Sequence, residues 1–383
     1  MQTEPLVLLV GSNPLPNYLA ATTLQPRRVL LLFTPDTRDP KDRLTHALRT
    51  RLEITDVDAW EIVDGMNALA VRERCAGLLT GTHLNYTGGT KVMAAHVRMA
   101  FRDQGGTDDR ASYVDEREGI LRTDDPRVRL RPLVTDRLDL EALLILHGLE
   151  RGGKSARSAA TDPTANDADV TASACVATPS IARDLFARFS DEQGKRLKPA
   201  ALKGDPFKPE ASGLSLSQSV IPGEKWSNRQ VDPWVDFFRG IWLEPWVAAK
   251  VRAVVGASAT VDVGLELTRD GRALELDIVV IRGHRLYLLS CTTDSTLKMC
   301  KSKLFEAALR ARQVGGDLAR CALVSMLDGG DADGRYADHL RKDIASTWEA
   351  PNTPCLFALA DLREWAGIDR AVDLSSLKTW LDS

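Results

Sequence analysis

Between Ala76 and Phe101 an apolar run gives way to a polar loop with two adjacent glycines, and the loop to an amphipathic helical pattern. The loop reads Leu84-Asn85-Tyr86-Thr87-Gly88-Gly89-Thr90-Lys91-Val92-Met93. Ala76-Gly77-Leu78-Leu79 before it reads as a strand. After it, Met93, Val97, Ala100 and Phe101 recur at helical spacing. The polar cluster therefore sits where a strand turns into a helix. Paired glycines let backbone N–H groups approach a ligand closely. A helix N-terminus adds partial positive charge and free N–H donors. Asn85, Thr87 and Thr90 supply amide and hydroxyl groups, and Lys91 supplies a full charge. This set suits a phosphodiester or a nucleotide. A tight turn with Thr90 as helix cap uses the same residues for structure alone. The loop matches neither GxxxxGK[ST] nor GxGxxG, so it is neither a Walker A loop nor a Rossmann fingerprint.

Residues 1 to about 135 alternate strand and helix patterns. Strands are expected at Leu6–Val10, Val29–Phe33, Ala59–Val63, Gly77–Leu79, Arg110–Val114 and Leu130–Leu133, with helices at Lys41–Glu53, Met66–Cys75 and Lys91–Arg102. The alternation predicts a parallel sheet covered by helices. The first strand ends in Gly11-Ser12-Asn13-Pro14 and the second in Thr34-Pro35-Asp36-Thr37. Open α/β sheets bind ligands at the carboxyl ends of their strands, so three polar loops converge on one rim.

The string Asn85 to Met93 resembles the ligand loop of CARF domains, the Rossmann-like sensors of cyclic oligoadenylate in type III CRISPR systems. Those domains commonly carry Asn-x-Thr-Gly-Gly-Thr-Lys-x-Met before a helix. The resemblance implies that Asn85, Thr87, Gly88, Gly89, Thr90 and Lys91 hold cyclic tetra-adenylate. Gly11, Ser12, Asn13, Pro14, Thr34 and Thr37 would help them. Tyr86 could stack on an adenine or pack under the loop.

With 383 residues the chain has room for two cores. A net charge of -3 does not fit a protein that coats nucleic acid. The six cysteines form no CxxC pair, so free thiols are expected and a zinc site is not. No apolar run is long enough to span a membrane and no signal-peptide pattern is present, so a cytoplasmic location is expected. Leu138–Leu149 reads as a connecting helix. Residues 151–178 read as a linker or mobile loop by their Ala, Ser, Thr, Asp and Gly content, Ser180–Phe189 as a helix, and 193–230 as polar and irregular. The division expected is a sensor over 1–136, an interdomain region over 137–230 and a second unit over 231–383.

In that second unit a helix carrying Glu244 leads to strands at Val261–Leu267, Ala273–Ile281 and Leu286–Ser290. A long helix over Thr296–Arg312 and strands at Cys321–Met326 and Leu356–Ala360 follow. The order resembles the PD-(D/E)XK nuclease core, a restriction-endonuclease-like α/β fold. Such sites use carboxylates to hold Mg²⁺ or Mn²⁺ against a phosphate, with a lysine near the attacking water. Glu275 and Asp277 are two apart on a strand and share a face. The family pattern places a carboxylate at 290 and a lysine at 292, where this chain has Ser290 and Thr292. Two readings stay open. Glu244 and Asp277 hold the metal, with Glu275 beside them and a lysine moved to the next helix as Lys298 or Lys301. Alternatively, the nuclease site has decayed.

Taken together the chain resembles the single-CARF ancillary nucleases of type III CRISPR defence. That resemblance implies a homodimer bridged by one cyclic tetra-adenylate. It also implies Mn²⁺- or Mg²⁺-dependent cutting of single-stranded DNA or RNA, or of nicked duplex DNA. A ligand-sensing adaptor with an inactive nuclease fold, or a ring nuclease that degrades its own activator, are the other functions the sequence allows.

Overall fold

Leu6–Leu9 and Val29–Phe33 are apolar at every successive position rather than alternately, so each strand must be covered on both faces. The computed structural model describes residues 4–152, 160–222, 225–327, 335–349 and 352–383. It places both strands inside a seven-stranded sheet. In spatial order the strands are Asp56–Glu61, Arg28–Phe33, Leu6–Leu9, His83–Asn85, Ala111–Asp115, Ile120–Thr123 and Arg131–Pro132. The first five run parallel, the sixth runs against them, and the seventh pairs antiparallel with the sixth. The order runs backwards from Asp56–Glu61 to Leu6–Leu9 and then forwards from His83–Asn85. The switch point lies between these two central strands, where an α/β sheet opens a crevice.

One expected strand is corrected. Gly77–Leu79 is a turn, with Gly77 and Gly81 both in the left-handed region, and the strand is the three residues His83–Asn85. The polar loop therefore starts at the strand end itself. The helix after it spans Lys91–Asp103 and buries Met93, Val97, Ala100 and Phe101, the stripe its spacing predicts.

A second sheet has six strands. Their order is Cys355–Phe357, Arg320–Ser325, Arg285–Thr292, Arg272–Arg282, Ala259–Arg269 and Glu150–Arg151. The three longest strands form an antiparallel meander, and the two strands on its far side run parallel. Leu297–Gly315 is the long helix, and Gly316 at φ 73° ends it. The connecting helix is Leu140–His147, closed by Gly148 in the left-handed region, and the chain passes from it straight into the edge strand Glu150–Arg151.

The reading of 151–178 as linker is also corrected, apart from 153–159, which lie outside the described residues. Ala165–Ala177 is a helix whose Ala168, Ala172, Cys175 and Val176 are buried with Trp234, Trp246 and Leu289 in one core. Asp167 on this helix is fully buried and accepts hydrogen bonds from Ser217 N at 2.6 Å and Ser217 Oγ at 2.7 Å. That contact ties the polar stretch near 217 to the same unit. Pro179–Arg188 forms the next helix.

Each sheet has a core cluster of its own, and the two share a third. Leu6, Leu8 and Leu31 of the first share a buried cluster with Leu276, Leu286 and Leu288 of the second. Leu143 and Leu146 of the connecting helix and Ala307 of the long helix lie in the same cluster.

Candidate functional site: a glycine loop at the switch point and a carboxylate cleft

The loop after His83–Asn85 lies against the loop after Leu6–Leu9. A Cβ built on Gly88 would fall 2.1 Å from Leu9 O and 3.1 Å from Gly11 N, and one on Gly11 would fall 3.2 Å from Gly89 N. Gly89 has φ +75°. Glycine at 88 is thus required by close approach and at 89 by conformation. Loop and first strand touch backbone to backbone at the crevice.

The polar side chains divide into two groups. Asn85 is fully buried; its Oδ1 accepts from Thr87 Oγ1 at 2.8 Å and its Nδ2 reaches Ser112 Oγ at 3.2 Å. Thr87 Oγ1 also accepts from Val114 N at 2.7 Å. These two side chains brace the loop, Asn85 from within and Thr87 half-buried. Thr34 and Thr37 likewise bond each other, with Thr34 N donating to Thr37 Oγ1 at 2.9 Å. Thr90 caps its helix by accepting from Met93 N at 3.1 Å and donates to Gly65 O at 2.8 Å. Ser12 and Lys91 are exposed. Asn13 Oδ1 accepts from Leu15 N at 3.1 Å across the buried Pro14. Tyr86 donates to Asp124 and its ring lies 5.9 Å from that of Tyr113. The surface offered to a ligand is therefore backbone N–H groups, Ser12 and Lys91 over a braced floor. Thr90→Ala is expected to cost about 1 kcal/mol of stability by removing the cap. Chemical unfolding reads this, and Thr90→Ser should restore it.

At the second sheet a cleft of about 950 Å³ opens beside the meander. Glu244, Glu275, Asp277, Thr292 and Lys303 line it. Glu244 enters from the first turn of the Leu243–Val255 helix. Just before that helix the chain kinks at Gly240, which has φ 135° and lies against Thr293.

Glu244 is only 9% exposed. Burial first, then the charges of Asp277 and Glu275, push its carboxyl from 4.5 up to about 8, while Lys303 pulls it back. Asp277 Oδ2 accepts from Cys291 N at 2.6 Å and from Ser290 Oγ at 3.0 Å. Ser290, standing where the family pattern has a carboxylate, thus orients Asp277. Glu275 faces Glu266 directly across the sheet, so like charges oppose each other there. The Cys291 thiol is held protonated by burial and by Asp277 and Glu244, so it is no nucleophile at neutral pH.

The lysine expectation is corrected. Lys298 and Lys301 do not line the cleft, and Lys301 pairs with Asp343 at 2.9 Å. Residues 299 and 303, one helical turn apart, face the cleft instead; 301 lies on the opposite side of the helix. Lys303 has no ion-pair partner among the described residues. Sequence reasoning placed Lys303 on the helix but gave it no role. Arg183, Phe186 and Arg239, which form another wall of the cleft, had no role either.

Glu244 and Asp277, with Glu275 near, fit a hard cation such as Mg²⁺ or Mn²⁺. Such ions keep several waters and need one or two protein carboxylates. Among the described residues no group of three or more His, Cys, Asp or Glu side chains forms a closed metal cage.

No family model and no curated protein matches the chain by sequence. The fold is similar to that of Can2 from Sulfobacillus thermosulfidooxidans in complex with cyclic tetra-adenylate. The TM-score is 0.71 at 16% identity, over 100% of this chain and 98% of that one. The chain shares the two-sheet α/β fold of that protein. Protein VC1899 from Vibrio cholerae is similar at TM-score 0.68 and 17% identity, over 99% of this chain and 98% of that one. A type III CRISPR defence DNA nuclease activated by cyclic oligoadenylate matches at TM-score 0.55 and 20% identity, over 92% of this chain. The match spans 53% of that nuclease, about half its length. Both α/β units expected from the sequence are thus present in one fold. No helix among the described residues is long and apolar enough to cross a membrane.

Proposed function

We propose that this chain is a cyclic tetra-adenylate-gated, metal-dependent nuclease of type III CRISPR defence. The observation that carries the reading is the pair Glu244–Asp277 in an open cleft, in a chain that shares the fold of cyclic tetra-adenylate-bound Can2. Backbone N–H groups of Gly88 and Gly89, with Lys91 and Ser12, hold the ring phosphates at the switch point. Two copies of the chain pair across a two-fold axis, so that a symmetric ring meets the same loop twice. Val63, Met66 and Leu69, exposed at 80%, 67% and 64% beside Gly65, give that pairing an apolar surface. Ring binding favours one arrangement of the pair and thereby sets the cleft.

In the cleft, Glu244 and Asp277 would hold Mn²⁺ or Mg²⁺, with Glu275 near. The cation supplies charge stabilisation at the phosphate and an acidified water. Ser290 and the Cys291 N–H keep Asp277 oriented. Lys303 stands near Glu244 as the positive group for the scissile phosphate.

The test is cleavage of single-stranded DNA, single-stranded RNA and supercoiled plasmid with Mn²⁺, with and without cyclic tetra-adenylate. Activator-dependent cutting is expected, with Asp277→Ala slower by about a hundredfold or more. An Asp277→Ala chain as fast as wild type would reject the site. Lys91→Ala is expected to weaken cyclic tetra-adenylate binding about tenfold by removing one charge-assisted contact, read by calorimetry. The second reading, a sensor or adaptor with a silent nuclease fold, is favoured by Ser290 and Thr292, which supply neither carboxylate nor ammonium. Activator binding without any cutting would select it.

A further inference from the structure

The cleft wall facing the carboxylates is neither acidic nor plainly polar. Phe186, Ile241 and Met299, three of the large apolar side chains left exposed, all line it, at 37%, 45% and 45% exposure. Phe186 comes from the Pro179–Arg188 helix and carries the Arg239 guanidinium over its ring, 4.7 Å from the centroid. Arg239 is fixed in turn by donating to Ser190 Oγ and by Gly194 O at 3.3 Å. Arg183 lies one helical turn before Phe186, is exposed, and has no ion-pair partner among the described residues. A held aromatic–guanidinium pair and the unpaired cations Arg183 and Lys303 thus line the same cleft as Glu244 and Asp277.

Alternating flat apolar groups and negative charges are what a nucleic-acid strand presents once its bases are unpaired. Base stacking on an aromatic side chain requires a free base face, which a duplex keeps inside its own stack. We propose that Phe186, braced by Arg239, is a base-stacking platform that makes this cleft select single-stranded nucleic acid. Arg183 takes a neighbouring phosphate. The inference rests on the nucleic-acid reading of the cleft but not on cleavage itself.

The experiment uses the full chain saturated with cyclic tetra-adenylate, in EDTA and at one fixed salt concentration, so that the cleft is set and binding is read without cutting. The probes are a fluorescein-labelled oligothymidylate, an abasic strand of the same length, and a duplex of that length. Wild type should bind the oligothymidylate more tightly than either other probe. Phe186→Ala should lose about tenfold on the oligothymidylate and almost nothing on the abasic strand. Phe186→Trp should restore the difference. Arg183→Ala should weaken both strands alike, because phosphate contacts ignore the base. Unchanged cyclic tetra-adenylate binding by Phe186→Ala confirms that the variant is folded. Equal loss on both strands, no loss on either, or a wild type that binds no strand at all would overturn the platform, the last pointing to a polypeptide in this cleft. Base-dependent binding in a chain that never cuts would leave the platform standing and reject the nuclease reading alone.

Discussion

Glu244→Gln should leave stability nearly unchanged in acid and raise it strongly in mild alkali. The carboxyl of Glu244 titrates near 8 in the folded chain because burial, then Asp277 and Glu275, disfavour its charge. Below its ordinary value of 4.5 it is protonated whether the chain is folded or not, and no penalty arises. Between 4.5 and about 8 the unfolded chain releases this proton while the folded chain keeps it, so stability falls as pH rises. Above about 8 the accumulated cost is on the order of 5 kcal/mol, which the neutral amide removes. Chemical unfolding of both chains across this range should show a difference that grows with pH. A difference independent of pH would show that Glu244 is charged in the folded chain at ordinary pH. Mn²⁺ tests the same group from the other side. A cation beside the carboxyl favours its ionised form, so Mn²⁺ should stabilise wild type near pH 8 and release protons. The Gln variant should show a much smaller effect.

Gly88→Ala is the second large effect. The added methyl has no room, because Leu9 O would lie 2.1 Å away, and that carbonyl belongs to a central strand paired on both sides. Relief requires the loop to move off the strand end, with a stability cost of about 3 kcal/mol. It also moves the N–H groups proposed to meet the ring phosphates. Loss of cyclic tetra-adenylate binding is therefore expected together with a lower melting temperature, whereas Lys91→Ala should lose affinity with little change in melting. Alanine at 88 binding as glycine does would show that the loop backbone does not contact the ligand.

The meander and the first strand of the parallel sheet were legible because their signals are long. The continuous apolar run Leu6–Leu9 and the pairing of Glu275 with Asp277 on an apolar strand follow from chemistry that extends over several residues. The strand His83–Asn85 was not legible, because three residues cannot display a period. The Ala165–Ala177 helix hid for a different reason. Ala168, Ala172, Cys175 and Val176 do stand at helical spacing, but such small side chains among Thr, Asp and Ser look like linker composition. Asp167, a charge buried at this helix's start, argued further against a core. The lysine was misplaced because spacing shows which residues share a helix face and not which face meets the cleft. That depends on how Leu297–Gly315 rests on the strands, with Cys300, Leu304 and Ala311 inward.

The cluster shared by the two sheets bears on how the protein can be handled and how it can evolve. A chain cut at residue 136 would strip Leu143, Leu146, Leu276 and Ala307 from beside Leu6 and Leu31, leaving an oily scar where the other half belongs. Neither half is a detachable module. Exchanging either sheet for a foreign one would mean re-cutting the seam as well as joining two genes.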